Sequence, residues 1–344
     1  MKLSIIVPCY NVSQFLERCL MSLINQTLTE MEIICIDDKS TDDTLAVLKN
    51  WEKGDLRIRV IENDENMGAG YTRNRGIDLA KGEFVGFVDP DDWVDANFFE
   101  KLIDVAEKTQ TPVVCGDVYE YEFLGGRKKI KRKMKKSWHN FRYHYSAVYL
   151  REFLDRFNIC YPHLCIGEDI VFETMVKLNT PKPILYVPGI AYHYCRRPGS
   201  LNEYVWREKQ TEDFITAMRQ VFDLYNLRDG IKNTDYIAGV HYYFRYLYVV
   251  AFYKSIYAPD KVVNALCELF PVMRMNWELL RKNKQLYYPL YYGSADGVRS
   301  ILKAQRWKIK EYKLFGAIKI AVLKYNDFEK ELRIFGIPVF VIKH

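Results

Sequence analysis

The sequence predicts an α/β protein in which residues 1–205 form a doubly wound, mostly parallel sheet and residues 206–344 form a mainly helical extension. Apolar, β-branched runs of strand length alternate with amphipathic stretches of helical length up to about residue 205, which is typical of a parallel sheet covered by helices. Beyond that point the alternation ends, and helical patterns rich in tyrosine follow. The 344 residues also exceed the usual length of a single domain.

The strands predicted for the first domain are short apolar runs, most of which end at a proline or an acidic residue. They cover residues 2–8, 31–38, 58–63, 84–89 and 111–117. Helices with one apolar face are predicted over 13–26, from Ser40 or Thr41 onward, over 69–82 and over 95–109, where Asp95 is the expected N-cap. Further helices are predicted over 146–159 and 167–178, a bent strand or strand pair over 184–194, and short strands within 312–343.

Charge is unevenly distributed along a chain whose net charge is only +6. The segment "RKKIKRKMKK" (127–136) holds eight basic residues, and the tail from Lys303 onward is also basic. One interpretation is a solvated loop and tail, and the other is attraction to anionic lipid headgroups or phosphate-bearing acceptors. No recognised nucleic-acid-binding motif accompanies these segments, so nucleic acid is not an expected partner.

The eight cysteines are scattered and form no Cys-x-x-Cys pair, which favours reduced thiols in a cytoplasmic protein. The first apolar run is too short for a signal peptide. The most apolar long stretch, residues 236–257, is interrupted by His241, Arg245 and Lys254, so we expect a buried aromatic-rich helix rather than an interfacial membrane helix. Together these features predict a cytoplasmic protein that is able to bind the inner membrane face as a peripheral protein, and an oligomer is compatible with them.

Polar residues follow several of the predicted strands at the point where each strand ends. They form the groups 8–11 ("PCYN"), 37–38 ("DD") and 89–92 ("DPDD"). Ligands bind outside the carboxyl ends of the strands in open parallel sheets, so a nucleotide could lie here, with Tyr10 against the base and Asp38 accepting from a base N–H. The chain has neither G-x-G-x-x-G nor G-K-[ST] after its first strand. A divalent cation held by Asp89, Asp91 or both would then neutralise the phosphates.

Five motifs give the sequence a specific resemblance. In order they are "SIIVPCYN", "IDDKSTDDT", "NMGAGYTRNRGIDLAKGEF", "VGFVDPDDW" and "GEDIVF". This set resembles family 2 glycosyltransferases of the kind that build bacterial surface polysaccharides, over roughly residues 3–200. The resemblance implies the GT-A fold for residues 1–205 and an inverting reaction with a nucleotide-diphospho-sugar.

The resemblance also implies roles for residues on the donor side. Pro8, Tyr10 and Asp38 would contact the nucleoside. Arg73 would lie near the donor, in a motif where this chain has Thr72 instead of the usual small residue.

The family's D-x-D element corresponds to Asp89 and Asp91, which would bind the ribose and the metal, Mn²⁺ or Mg²⁺. Asp92 extends this element, and Pro90 stands between the two acids where a small residue is usual. The proline stiffens the turn without removing a ligand.

Asp169 corresponds to the general base, which takes the proton of the acceptor hydroxyl as its oxygen attacks the anomeric carbon. A carboxylate in the first turn of a helix would normally have a low pKa, so burial or acidic neighbours are expected to raise it. Glu168 is either a supporting residue or a helix-terminal acid. His193 and Arg196 could reach the diphosphate or the metal, although a structural histidine is the alternative for His193.

The predicted function is therefore transfer of a sugar, with UDP as the expected nucleotide, to a glycan or lipid-linked glycan in capsule, lipopolysaccharide or exopolysaccharide synthesis. Two alternatives remain open at this point. "FVGFVDPDD" loosely matches the D-x-D loop of aspartyl-phosphate phosphohydrolases, although that loop usually follows the first strand. A nucleotide-binding protein that docks on membranes without catalysis is the other alternative.

Overall fold

The computed structural model describes most of the first 226 residues and parts of the remaining chain. The described residues are 1–124, 127–133, 144–181, 184–196, 206–226, 258, 260–265, 268, 321–325, 329–334 and 337–343. The predicted aromatic helix over 236–257 lies outside these residues.

A mixed sheet of nine strands forms the centre of the described chain, in the order β3-β2-β1-β4-β8-β6-β9-β5, with β7 paired to β6. Its strands are β1 Leu3–Cys9, β2 Met31–Asp37, β3 Ile58–Glu62, β4 Phe84–Phe87, β5 Trp93–Val94, β6 Val113–Leu124, β7 Arg127–Lys133, β8 Ala147–Leu150 and β9 Leu185–Arg196. The first four strands are parallel, as the sequence predicts. Every residue of β1 and β2 is buried, which explains why both are almost continuously apolar.

Helices cover this sheet and begin and end close to their predicted bounds in the first half of the chain. They are α1 Leu16–Ile24, α2 Thr44–Gly54, α3 Ala69–Leu79, α4 Phe98–Thr109, α5 Arg151–Arg156, α6 Glu168–Asn179 and α7 Glu208–Asn226. Helix α1 buries Leu16, Cys19, Leu20 and Leu23, which lie on the predicted apolar face.

Two predictions for the second half of the sheet are wrong. The predicted helix over 146–159 divides into strand β8 and the shorter helix α5, because the first residues pair with β4 on one side and with β6 on the other. The basic segment predicted as a loop forms β7 over Arg127–Lys133, which pairs antiparallel with β6. In both cases long-range backbone hydrogen bonds override the local pattern.

The contacts group the chain into two compact units. The first contains the sheet, helices α1 to α6 and helix α7 from Glu212 onward; the second contains residues 205–211 and the chain from residue 240 onward. Within the second unit, three antiparallel strands follow one another, which confirms the short strands predicted there: β10 Ala321–Tyr325, β11 Glu329–Ile334 and β12 Ile337–Lys343. The boundary predicted at residue 205 stays a prediction. Among the described helices, none has both the length and the apolarity needed to cross a bilayer.

Helix α3 packs unusually close to the sheet at Gly76. A Cβ added at this position would lie 2.4 Å from Cγ2 of the buried Ile6 in β1. We therefore expect Gly76→Ala to lower the free energy of unfolding by about 1–3 kcal/mol, because the added methyl group overpacks the core. Urea denaturation measures this change.

Gly54→Ala is the matched control, because an added Cβ there meets no atom within 4 Å. It should leave the free energy of unfolding unchanged or raise it by up to about 1 kcal/mol. An equal decrease in the free energy of unfolding in the two variants would contradict the close packing of α3 against β1.

Candidate active site

The ends of β1 and β2 bring the predicted nucleoside contacts to one edge of the sheet. The two strands are parallel neighbours, and the backbone N–H of Asp38 donates to the carbonyl of Cys9 at 2.8 Å. Tyr10 follows β1 and is 46% exposed, whereas Pro8 is buried within the strand. An accessible aromatic residue therefore directly follows the Cys9 backbone to which Asp38 is hydrogen-bonded.

Asp38 is buried and its carboxylate organises the loop that leads into α3. It accepts hydrogen bonds from Asn63 Nδ2 at 2.6 Å, from the N–H of Met67 at 2.9 Å and from the N–H of Gly68 at 2.8 Å. Gly68 has φ +87°, a left-handed conformation that glycine adopts without strain. The carboxylate thus fixes both the edge of the sheet and the start of the next helix.

Arg73 joins the end of β4 to the start of α6. Its side chain is only 7% exposed; Nη2 donates to Asp89 Oδ1 at 3.0 Å and Nη1 to Glu168 Oε1 at 3.2 Å. Burial alone would lower the pKa of Arg73, but the charges of Asp89 and Glu168 outweigh burial and the net shift is upward. The guanidinium therefore stays charged and holds one acid of the D-x-D element next to the Glu-Asp pair.

The two acids at the start of α6 are partly buried, and this environment favours their protonation. The pKa of Glu168 is raised to about 7. Burial is the largest cause, the charge of Asp169 adds to it, and Arg73 opposes the rise. Burial also raises the pKa of Asp169, against the effects of Arg73 and of the N–H of Ile170, which donates to Oδ1 at 2.8 Å. The upward pKa shift expected for Asp169 is thus present, and burial is its main cause.

Asp92 is fully buried and connects the acidic turn to β9. Its Oδ2 accepts from the hydroxyl of Tyr192 at 2.7 Å and its Oδ1 from the N–H of Cys195 at 2.7 Å. The hydroxyl of Tyr192 also accepts from the N–H of Asp89 at 3.0 Å. Burial, followed by the charges of Asp91 and Asp89, raises the pKa of Asp92 well above its ordinary value. This geometry suits a residue that holds the turn in place.

Asp91 is partly exposed, and its backbone carbonyl accepts from Nη2 of Arg18 at 2.5 Å. The guanidinium of Arg18 also lies 4.1 Å from the centroid of the Trp93 ring. Within the described part of the chain, no group of three or more His, Cys, Asp or Glu side chains is arranged to hold a metal ion.

The prediction that Asp95 caps α4 is wrong. The N-cap position is Asn97, and Asp95 instead accepts from the N–H of Ala191 at 2.9 Å and lies 2.7 Å from Nε2 of His193. The reason is the antiparallel pairing of β5 with β9, which places the Asp95 carboxylate beside the partner strand.

His193 and Arg196, both on β9, have partners within the protein. Nδ1 of His193 lies 2.9 Å from the hydroxyl of Tyr121, Nε2 contacts Asp95, and the ring stacks on Trp93 with the centroids 5.0 Å apart. Arg196 pairs with Glu120. The structural alternative for His193 therefore fits its surroundings.

Arg18, Asn74 and Tyr161 were not identified from the sequence as part of this site. Asn74 directly follows Arg73 in its motif, so its position alone could have drawn attention. Arg18 lies in an ordinary amphipathic helix and Tyr161 in a segment without a recognisable pattern, and neither gives a local indication of its contacts.

A mixed sheet with acids at the carboxyl ends of its strands and a partly buried Glu-Asp pair is compatible with a glycosyltransferase, and the comparisons show this class and its family. Residues 4–167 match the family model "Glycosyl transferase family 2". The uncharacterized glycosyltransferase EpsJ of Bacillus subtilis (strain 168) is 32% identical over 244 residues, covering 65% of this chain and 69% of EpsJ. The chain belongs to glycosyl transferase family 2.

Two further proteins are similar to this chain. The poly(ribitol-phosphate) beta-glucosyltransferase of Bacillus spizizenii is 29% identical over 242 residues, covering 67% of this chain and 37% of that protein. The crystal structure of S. aureus TarS 1-349 in complex with UDP-GlcNAc superposes with a TM-score of 0.75 at 23% identity, covering 90% of this chain and 92% of that one. This likeness shows the shared fold and confirms the predicted GT-A class. The chain spans less than half the length of several curated relatives that it matches.

The hydroxyl of Tyr192 provides a test of how the acidic turn is held. Tyr192→Phe removes the donor to Asp92 and the acceptor for the N–H of Asp89, so buried polar groups lose their partners. We expect the free energy of unfolding to fall by about 1–3 kcal/mol, as measured by urea denaturation.

Tyr161→Phe is the control, because the Tyr161 hydroxyl is also buried but has no hydrogen-bond partner among the described residues. It should change stability by less than about 0.5 kcal/mol or be slightly stabilising. A loss in Tyr161→Phe as large as that in Tyr192→Phe would show that the two hydrogen bonds do not hold the turn.

Proposed function

We propose that this chain transfers a sugar from a UDP-sugar to a hydroxyl group of a glycan or lipid-linked glycan in bacterial surface polysaccharide synthesis. The single observation that carries the mechanism is the Arg73 bridge, which connects Asp89 to the residue directly before Asp169. The names of two relatives support the substrate classes: one is a poly(ribitol-phosphate) beta-glucosyltransferase and the other was crystallised with UDP-GlcNAc.

Asp169 is the proposed general base. Its carboxylate takes the proton of the acceptor hydroxyl while the acceptor oxygen forms a bond to the anomeric carbon. The bond from that carbon to the diphosphate breaks on the opposite side, and the nucleoside diphosphate leaves with the electron pair, which inverts the anomeric configuration. The raised pKa of Asp169 makes it a stronger base than an exposed aspartate.

The nucleoside is proposed to lie on the edge formed by Tyr10 and Asp38. The exposed ring of Tyr10 is available for stacking on the base. Asp38 already accepts three hydrogen bonds, and a carboxylate has about four acceptor positions, so one base N–H can still be accommodated. Pro8 is buried, so we assign it a supporting role behind Tyr10.

Mn²⁺ or Mg²⁺ is the proposed cation. The carboxylate oxygens of Asp91 and Asp89 are ligands that suit hard divalent ions, and only Oδ1 of Asp89 is bound to Arg73. When bound, the ion would neutralise the charge that develops on the diphosphate. Asp92, His193 and Arg196 have other partners and are not assigned to the cation or the diphosphate.

The decisive test of this function is Asp169→Asn, which keeps the shape of the side chain and removes its basicity. UDP release from UDP-glucose or UDP-GlcNAc with Mn²⁺ should fall by about 10²–10⁴-fold, while UDP binding measured by calorimetry is retained. Wild-type turnover should also fall as the pH drops through the raised pKa of Asp169, because the base must be deprotonated.

The control is Asp104→Asn, which neutralises an exposed carboxylate of α4 and should leave turnover and UDP binding unchanged. Hydrolysis of simple phosphomonoesters without turnover of any nucleotide-sugar would instead support the phosphohydrolase alternative. UDP binding without turnover in the wild type would support the non-catalytic alternative.

We also propose that β7 guides the protein to an anionic membrane surface on the cytoplasmic side. The strand register places Glu120 opposite Arg132 and Glu122 opposite Lys129. The other basic residues of the strand have no acidic residue opposite them in this register: Arg127, Lys128 and Lys133. Lys131 adds a fourth positive charge within β7. A basic strand of this kind attracts anionic headgroups within a Debye length.

Sedimentation with vesicles that contain phosphatidylglycerol tests this proposal. Replacing those four basic residues by glutamine should abolish binding at low salt, and wild-type binding should weaken as salt is added, since the attraction is electrostatic. A control variant with the same net charge replaces four exposed lysines elsewhere in the chain by glutamine: Lys39, Lys53, Lys101 and Lys108. Binding that does not depend on salt, or an equal loss of vesicle binding in both variants, would contradict a specific role for β7.

A further inference from the structure

Asn74 connects helix α3 to the segment that leads into α6. Its Nδ2 donates to the backbone carbonyl of Tyr161 at 2.8 Å, and its Oδ1 accepts from the backbone N–H of Tyr161 at 2.8 Å. This two-bond exchange resembles the pairing of neighbouring antiparallel strands, although one partner is a side chain. It requires a donor and an acceptor at the end of a short side chain, which asparagine provides and aspartate does not.

The same face of α3 contacts the rest of this segment. Arg73 and Asn74 follow Gly70 by three and four residues, so both lie on the same face of the helix as Gly70. A Cβ at Gly70 would lie 3.0 Å from the carbonyl oxygen of Pro162 and 3.2 Å from Cγ of Glu168. The absence of a side chain at Gly70 thus allows the close approach that Asn74 holds by hydrogen bonds.

Tyr161 connects the segment that is hydrogen-bonded to Asn74 with helix α6. Its ring stacks on Phe172 with the centroids 4.1 Å apart and an interplanar angle of 2°, and the Arg73 guanidinium lies 5.3 Å from the ring centroid. The backbone of Tyr161 is therefore fixed to α3 while its ring is fixed to α6. Asp169 lies in the first turn of α6, one turn before Phe172.

We propose that Asn74 is a positioning residue, which sets where the Asp169 carboxylate stands relative to Asp89 on the donor side. The inference rests on the function proposed above. The hydrogen bonds of Asn74 go to Tyr161 and not to the Tyr10–Asp38 edge or the D-x-D element. Loss of this pairing should therefore misplace the base and leave donor binding intact.

The test compares Asn74→Ala and Asn74→Asp with the wild type. Alanine removes both hydrogen bonds, and aspartate keeps the acceptor but directs a second oxygen at the Tyr161 carbonyl. UDP release from UDP-glucose or UDP-GlcNAc with Mn²⁺ should fall by about 10–100-fold in kcat, because misplacing a reacting group by about 1 Å has an effect of this size. The dissociation constant of UDP should change by less than about twofold. Asp78→Asn, an exposed residue of the same helix, is the control and should alter neither quantity.

Hydrogen exchange of the unliganded protein gives a readout that does not depend on turnover. Both variants should exchange faster over residues 158–169 and at the wild-type rate over 84–95. Unchanged exchange over 158–169, unchanged turnover, or an equal loss of UDP affinity and turnover would overturn the inference. If the wild type turned over no nucleotide-sugar, the proposed function would fail, and the exchange pattern would still decide whether Asn74 fixes the segment.

Discussion

The site depends on one buried guanidinium placed between two carboxylates that come from different parts of the chain. Arg73 contacts Asp89 after β4 and Glu168 at the start of α6, 95 residues further along the chain than Arg73. A buried arginine without such partners would be strongly unfavourable, and either partly buried acid alone would also be unfavourable. The three groups therefore stabilise one another only if α3 holds them together, so the position of α3 governs the geometry of the site.

Several residues determine the position of α3. The loop before α3 is fixed by the buried carboxylate of Asp38, and Gly76 lets the helix approach β1. At the same time Gly70 lets the segment before α6 approach α3. The loop held by Asp38 and the segment that leads to the Glu-Asp pair thus both contact the same helix. A displacement of α3 would change the position of both, which explains why the "NMGAGYTRNRG" motif combines small residues with Arg73 and Asn74.

Local patterns were sufficient for the first half of the fold and insufficient for the second. Strands β1 to β4 and helices α1 to α4 each have a clear local pattern, so periodicity and strand-end residues predicted them, whereas the two-residue strand β5 was not predicted. Strand β8 was missed because its four apolar residues run directly into a helical pattern, and only pairing with β4 and β6 decides its conformation. Asp95 was misassigned for the same reason, since its partners Ala191 and His193 are nearly 100 residues away. The resemblance identifies Asp169, whereas its partial burial is a property of the fold alone.

The crowded aspartates after β4 are tolerated because each is placed in a different environment. Asp89 forms an ion pair with Arg73. Asp92 is buried and accepts hydrogen bonds from Tyr192 and from the backbone of Cys195. Asp91 is partly exposed at the edge of the sheet. Arg73 contacts Asp89 and at the same time opposes the raised pKa values of Glu168 and Asp169. One guanidinium therefore acts on both acidic groups of the site, the turn after β4 and the start of α6.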